Sequence, residues 1–122
     1  FPPLSLEISK IPVLNEYFQF EYDANAELQW INDRIMIVSS NDVPQNLTDA
    51  QNWLKKLEQN LKNEINAHEN HVMKILDQAK EFIQQNHLES DKINKISEDL
   101  NTNWNQLIQS RYFFKIFINM DK

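Results

Sequence analysis

The longest regular pattern of apolar and polar positions runs from Thr48 to Gln85, and no proline or glycine interrupts it. Its apolar or small residues recur at steps of three and four, the spacing that places side chains on one face of an α-helix. They are Ala50, Leu54, Leu57, Leu61, Ile65, Val72, Ile75, Ala79 and Phe82, with His68 filling the one gap. The pattern predicts a helix over residues 48–85, roughly 55 Å long. Because so long an apolar stripe has to be buried, we expect partner helices of similar length.

A second helical pattern covers residues 14–39 and follows a segment that holds three of the four prolines. Prolines at positions 2, 3 and 12 disfavour a continuous helix, so residues 1–13 are predicted to be an extended segment. The apolar row of the second helix consists of Phe20, Ala24, Leu28, Ile31, Ile35 and Val38, and Trp30 and Ile37 widen it. A face this broad is expected of a helix that contacts two neighbours.

The connection between these two helices is predicted at residues 39–46, SSNDVPQN. Small polar side chains compete for backbone hydrogen bonds there, and Pro44 blocks continuation of the helix. Thr48 and Gln51 have the spacing of a capping box, which predicts that the next helix starts at Thr48.

A third helix is predicted over residues 90–119, after a turn at Asn86. Asparagine is the best residue other than glycine for the left-handed position that ends a helix, and Ser90 or Asp91 suits the start of the next one. The apolar row of this helix is Ile93, Ile96, Leu100, Trp104, Leu107, Phe114 and Ile118, with Arg111 in the same row. The sequence therefore predicts an all-α fold, a three-helix antiparallel bundle with left-handed coiled-coil packing.

Composition supports long helices and narrows the classes of function. The chain of 122 residues has no glycine, which disfavours folds rich in tight hairpins. It has no cysteine, which excludes disulfides, thiolate metal sites and a cysteine nucleophile. The formal net charge of −6 argues against nucleic acid and anionic lipid as main partners. No apolar run reaches the roughly 18 residues of a membrane span, so no integral membrane segment is expected.

The spacing of several short segments resembles that of the spectrin repeat family. Phe20 and Trp30 lie ten residues apart, and Trp104 is followed by Leu107. The other matching segments are Trp30–Arg34, Ser39–Asp42, Leu54–Lys56, Glu64–Glu69 and Asn86–His87. The match runs from about Phe20 to the end of the chain without a gap, so we expect residues 14–122 to form one spectrin-like repeat.

This resemblance implies a structural and scaffolding repeat of an actin-associated cytoskeletal rod, which acts as an elastic spacer and a protein-interaction surface. It implies no enzymatic activity and no cofactor. The implied partners are neighbouring repeats, a second spectrin chain, and actin or ankyrin through the parent protein. The implied location is the cytoplasm, at the cytoskeleton or the membrane-associated cortex. The residues expected to carry the mechanical role form the core, chiefly Trp30, Trp104, Leu57, Leu61, Val72, Ile75 and Leu107.

Glu64, His68 and His71 have a spacing that allows their side chains to share one helix face, as the ligands of a zinc site do. The preferred interpretation is structural, because His68 falls on the apolar row and His71 at its edge. Trp30 and Trp104 are interpreted as core residues rather than as a platform for a ligand. Trp53 lies one column off the apolar stripe and is expected to be a packed flank.

No catalytic residues are predicted. The sequence shows no Ser/His/Asp set, paired-carboxylate motif or phosphate loop, and Glu81, Glu89 and Asp91 are interpreted as a solvated face or as helix caps. The segment Tyr112–Ile118 is apolar on nearly every face. It supports an alternative function, a free-standing helical-bundle adaptor that binds a partner helix or lipid through this C-terminal aromatic tail.

Overall fold

A computed structural model describes the backbone of residues 2–38 and 46–120, and the side chains of residues 11–38, 46–113, 115 and 116. Three helices make up the fold: α1 at Pro2–Val38, α2 at Leu47–Gln84 and α3 at Ser90–Met120. No strand occurs in these ranges. The prediction of an all-α, three-helix architecture is confirmed, while most of the predicted first connection lies outside the described residues.

Helix α1 starts at Pro2, which corrects the prediction of an extended segment over residues 1–13. Pro2 and Pro3 occupy the first turn, where backbone N–H groups have no intrahelical partner, so their missing N–H groups cost nothing. Pro12 lies inside the helix. It deprives the carbonyl of Ile8 of its usual donor, but one lost hydrogen bond does not end a helix that continues on both sides.

Helix α2 is capped by Asn46, and this corrects the prediction that Thr48 caps it. Asn46 has an extended backbone, with φ −77° and ψ 131°, and its side-chain oxygen accepts a hydrogen bond from the N–H of Asp49. The donor–acceptor distance is 3.2 Å. Asn46 matches the preference for small polar residues at this position as well as Thr48 does, and the carboxylate of Asp49 in the first turn suits the helix dipole.

The corner between α2 and α3 closes through a Schellman motif at Asn86. The residue has φ 56°, in the left-handed region, as predicted. The N–H of Asn86 donates to the carbonyl of Ile83 at 3.1 Å, and the N–H of His87 donates to the carbonyl of Phe82 at 3.0 Å. These two bonds are the defining pair of the motif. The rings of His87 and Phe82 lie 5.0 Å apart and supply the contact that usually accompanies it.

We expect Asn86→Ala to destabilise the chain by about 1 kcal/mol, because a Cβ without a local hydrogen-bonding group disfavours positive φ. Asn86→Gly is the matched variant and should be as stable as the parent or more so. Urea denaturation followed by circular dichroism measures both. Equal losses for the two substitutions would contradict the role given to the backbone at this position.

Contacts between helices fix their directions. Phe20 of α1 packs edge-on against Phe82 of α2, with ring centroids 6.2 Å apart. Further along α1, Arg34 pairs with Glu64 of α2 at 2.7 Å, so the two helices are antiparallel. The ammonium of Lys92, near the start of α3, lies 5.9 Å from the ring centroid of Tyr17 in the first half of α1. Helices α1 and α3 therefore run in the same direction, and the order is up-down-up.

The core is one continuous cluster drawn from all three helices. Its fully buried large side chains are Phe20, Ile31, Val72, Ile93, Leu100 and Leu107. They occupy the rows predicted from the three-and-four spacing. Leu61, Ile75 and Trp104 are buried as expected. Leu57 and Trp30 are only half-buried, so their expected places in the centre of the core are corrected to its edge.

The environment of Tyr17 indicates that the folded chain loses stability at high pH. Its hydroxyl donates to a carboxylate oxygen of Glu21 at 2.6 Å, and this hydrogen bond, together with burial, raises the pKa of Tyr17 to about 12. The unfolded chain ionises the phenol at about pH 10. The contribution of this hydrogen bond to the free energy of unfolding is therefore complete below about pH 10 and is lost as the pH rises from there to about 12. We expect the stability advantage of the parent over Tyr17→Phe, measured by urea denaturation, to shrink across this range. The exposed Tyr22 provides the control, and its Phe variant should show no such trend.

Candidate functional site

The polar residues that the sequence offers as candidates meet on the seam between α1 and α2. The Nδ1 atom of His68 lies 2.7 Å from one carboxylate oxygen of Glu27, and the Nδ1 atom of His71 lies 2.9 Å from the other. His68 and His71 are three residues apart on α2, so both rings reach the same spot on the neighbouring helix. Glu27 is therefore held by two imidazoles from α2, and the three side chains form a cluster that we call the Glu27 cluster.

The Glu27 carboxylate determines which ring nitrogen of each histidine carries a proton. Glu27 is only 7% exposed, so its charge is largely removed from water and needs donors. An ionised carboxylate only accepts hydrogen bonds, which places a proton on the Nδ1 atom of each histidine. The side chains of His68 and His71 remain 30% and 47% exposed, so water reaches this part of the seam. The arrangement binds α1 to α2 without excluding water from the whole seam.

Glu64 does not join the two histidines, although its spacing from them allows the three side chains to share one helix face. It pairs instead with Arg34, at 2.7 Å between the guanidinium Nε and a carboxylate oxygen. Both atoms are buried, and neither has a well-directed hydrogen bond among the described side chains. The contact is therefore an ion pair rather than an aligned hydrogen bond. It forms a second polar link between α1 and α2, about two turns from Glu27 on α1 and about one turn from His68 on α2.

Trp30 connects the two links. Its indole stacks on the ring of His68, with centroids 3.7 Å apart and planes 7° from parallel. The guanidinium carbon of Arg34 lies 5.9 Å from the centroid of the indole, within range of a cation–π contact. The indole thus covers one face of His68 and fixes the ring that donates to Glu27. Trp30 therefore lines the polar seam between α1 and α2. It is neither a central core residue nor an exposed surface on which a ligand could stack.

The other two tryptophans occupy different environments. Trp104 of α3 is 4% exposed and packs within the core cluster, as the sequence predicts. Trp53 of α2 is half-buried, in keeping with the expected packed flank. The tryptophans therefore do not converge on one surface, and they do not form a stacking platform together.

The acidic residues considered as acid–base candidates lie around the corner between α2 and α3. Glu89 is half-buried and pairs with Lys92 at 3.4 Å. Asp91 stands in the first turn of α3, where a negative charge suits the helix dipole. Glu81 is exposed on the last turns of α2. Glu89 and Asp91 thus have structural roles at the corner, while Glu81 belongs to the solvated face of α2.

His87 links the corner to α1. Its Nδ1 atom accepts a hydrogen bond from the N–H of Glu89 at 3.0 Å. Its Nε2 atom therefore carries the proton and donates to the carbonyl of Val13 at 3.1 Å. The side chain of His87 is only 4% exposed. The imidazole thus satisfies a polar group of the corner and one of α1, and it ties the α2–α3 corner to the first half of α1.

Sequence reasoning missed Glu27, Arg34 and the role of His87. Glu27 carried a usable signal, because it lies three residues after Ala24 and four before Ile31, within the apolar row. A charged residue at such a position needs a partner across the interface. Nothing local identified the partner, since His68 is 41 residues away.

Among the side chains that are described, no three His, Cys, Asp or Glu residues are arranged to hold a metal ion. None of the described helical segments combines the length and the apolar character required to cross a membrane.

Comparison with known proteins shows what this arrangement is similar to. A family model described as a spectrin repeat matches residues 15–111. A spectrin beta chain from Drosophila melanogaster is 30% identical over 92 residues, which cover 75% of this chain and 4% of that protein. A spectrin alpha chain, erythrocytic 1, from Mus musculus is 42% identical over 62 residues, which cover 51% of this chain and 2% of that protein. The chain thus spans only a small part of the length of these relatives.

Proposed function

Because the chain belongs to the spectrin repeat family, we propose that it is a structural repeat of an actin-associated cytoskeletal rod protein, acting as an elastic spacer and a protein-interaction surface. The observation that carries the proposal is the family match across residues 15–111, on a chain whose helices form the corresponding three-helix bundle. The similarity to two spectrin chains supports a structural cytoskeletal role. The family is structural and non-enzymatic, and we propose no catalytic residue or cofactor.

The geometry suits a spacer. With three helices in up-down-up order, the start of α1 and the end of α3 lie at opposite ends of the bundle. A helix of 37 residues such as α1 is about 55 Å long, so tension applied to the two ends acts along the rod axis. Such a load shears the apolar seams and the Glu27 cluster together, and the bundle resists until many contacts fail at once.

The proposed partners are those of a rod protein: neighbouring repeats, a second spectrin chain, and actin or ankyrin through the parent protein. The proposed location is the cytoplasm, at the cytoskeleton or the membrane-associated cortex. The polar α1–α2 seam supports a role in protein contacts, because the exposed edge of His71 leaves polar atoms of the seam accessible to a partner.

Force spectroscopy on a single chain tests the spacer function. With handles at the two ends, we expect one cooperative unfolding event and refolding when the load is removed. About 120 residues at roughly 3.5 Å each, less the folded length of about 55 Å, give an expected gain in length of about 360 Å. A control chain with Trp104→Ala should unfold at a lower force and show the same gain in length.

Gradual extension without a distinct event, or failure to refold over repeated cycles, would contradict the elastic role. Binding to actin or ankyrin is tested separately by co-sedimentation with each protein. Absence of binding by this chain would assign those contacts to other parts of the parent protein and leave the spacer role to the force measurement.

A further inference from the structure

Helix α1 carries a second regular row of positions, on a different face from the row that forms the core. The core row has alternating steps of three and four and consists of the buried residues Tyr17, Phe20, Ala24, Glu27 and Ile31. The second row has the same alternation, and we call it the outer row. Its members are all exposed: Ile11, Asn15, Phe18, Tyr22, Asn25, Gln29, Asn32 and Met36. Alternating steps of three and four are the heptad spacing by which one helix packs along another.

The apolar members of the outer row are large and open to solvent. Phe18 is 57% exposed, and Tyr22, about one turn later, is 74% exposed. Ile11 lies one heptad before Phe18 and is also exposed. Met36 lies two heptads after Tyr22 and is likewise exposed. Large apolar side chains that recur at heptad positions on an open helix face indicate a contact surface for another protein.

The polar members of the outer row indicate a contact with a defined register. Asn15 lies between Ile11 and Phe18 in the row, and Asn25 follows Tyr22. An asparagine at a heptad position costs stability when the row is covered, but it fixes the alignment of the two helices. The row therefore suits a reversible contact centred on the two aromatic rings, rather than a permanently buried seam.

The charges of α1 around the outer row are of one sign. Positions 11–33 contain five acidic residues and no lysine or arginine. The five are Glu16, Glu21, Asp23, Glu27 and Asp33, and of these only Glu27 is buried. Glu21 lies three residues after Phe18, and Asp33 lies three residues before Met36. Because residues three apart share a helix face, both carboxylates flank the outer row.

The neighbouring part of α3 does not reverse this charge. Residues 89–99 contain four acidic residues and two lysines. Lys92 pairs with Glu89 at 3.4 Å. Lys95 pairs with Asp99 at 3.2 Å. Since both lysines are paired, this side of the bundle attracts a positively charged partner and repels a second copy of itself.

We propose that the outer row of α1 binds a basic amphipathic helix of a partner protein. The heptad spacing selects a helix as the occupant, and Phe18 and Tyr22 provide its apolar anchors. The acidic flanks select lysine and arginine beside the apolar positions of the partner. The partner packs on α1 as a fourth helix, away from the core. The proposal gives a location and a partner class to the proposed protein-interaction role and rests on that role, while the spacer role is independent of it.

Titration of the full chain with three synthetic peptides of about four heptads tests the proposal. The basic peptide has leucine at the a and d positions and lysine at the e and g positions. The acidic peptide has glutamate in place of lysine, and the scrambled peptide has the composition of the basic one without heptad order. Fluorescence anisotropy of the labelled peptides measures binding. We expect the basic peptide to bind at least about tenfold more tightly than the other two, and its affinity to fall as salt is added.

Paired variants locate the apolar part of the contact. Phe18→Ser with Tyr22→Ser should lower the affinity for the basic peptide about 30-fold, because two central anchors are lost. Tyr112→Ser with Ile116→Ser is the matched control, since it removes exposed apolar side chains from α3. This control should bind the basic peptide like the parent. Every substituted side chain is exposed, and melting curves verify that each variant is folded.

A charge reversal locates the acidic flank. Asp33→Lys should lower the affinity for the basic peptide about fivefold, because a cation then faces the lysines of the peptide. Asp77→Lys makes the same change in net charge at an exposed position of α2. It should have a clearly smaller effect, since α2 is not part of the outer row.

Three results would overturn the proposal. The first is a basic peptide that binds no more tightly than the acidic or the scrambled one. The second is a loss of affinity in the Phe18 and Tyr22 variant that is no greater than in the α3 control. The third is a dimer of the chain, detected by sedimentation equilibrium, that the same variant dissociates, because the row would then belong to a second copy. Unfolding under load involves no peptide, so failure of the helix contact and failure of the spacer function are distinguishable.

Discussion

Replacing Trp104 with alanine is expected to lower the free energy of unfolding by about 3–5 kcal/mol. The indole is 4% exposed and lies in the same cluster as Leu100 and Leu107, so its removal leaves a cavity among side chains from all three helices. A loss of this size is comparable with the whole stability of a small domain, about 5–15 kcal/mol. The variant should melt at a much lower temperature or be partly unfolded at 25 °C.

Trp53→Ala is the matched control for this prediction, because it deletes the same side chain from a half-buried position on α2. Its loss should be clearly smaller, since less apolar surface returns to water and the site is open to solvent. Thermal and urea denaturation followed by circular dichroism measure both variants. An unchanged melting curve for Trp104→Ala, or equal effects of the two substitutions, would refute the assignment of Trp104 to the core.

Removing both donors from the Glu27 cluster is expected to cost about 3 kcal/mol. In the variant with His68→Phe and His71→Phe, an aromatic ring remains at each position, and the phenyl ring that replaces the imidazole of His68 can still stack on Trp30. The carboxylate of Glu27 loses both partners while it stays buried, and an unpaired buried charge is strongly destabilising. Urea denaturation at neutral pH measures the loss.

A third substitution separates the lost hydrogen bonds from any change in packing. Adding Glu27→Gln to the double variant removes the buried charge, so most of the lost stability should return. The single variant Glu27→Gln should cost less than the double histidine variant, because His68 and His71 are partly exposed and can donate to water instead. If the triple variant is no more stable than the double variant, the buried carboxylate is not the source of the loss.

The sequence predicts most of the fold because the buried rows are local patterns. Steps of three and four locate the core residues of α2, and the conformational preference of Asn86 locates the corner with α3. Both signals depend on residues that are neighbours along one helix or turn. They do not need knowledge of which helix packs against which.

The start of α1 and the polar seam could not be predicted in this way. Pro12 is a strong local signal against a helix, yet the chain stays helical through it. The partners of Glu27 and Arg34 lie on α2, far along the chain, and helical spacing gives no rule for choosing between Glu64, His68 and His71 as their partners. The spacing of Glu64, His68 and His71 that allows a shared metal site instead places Glu64 against Arg34 and the two histidines against Glu27.

The position of Pro12 determines where α1 bends most easily. His87 reaches the carbonyl of Val13, so the end of the α2–α3 hairpin lies level with the residue after the proline. The turns of α1 before Pro12 therefore continue past that hairpin, and the missing hydrogen bond lies at the boundary. Bending there reorients the leading turns while the packed interior keeps its shape. We therefore expect any change in the direction of these leading turns to be concentrated at Pro12 rather than spread along α1.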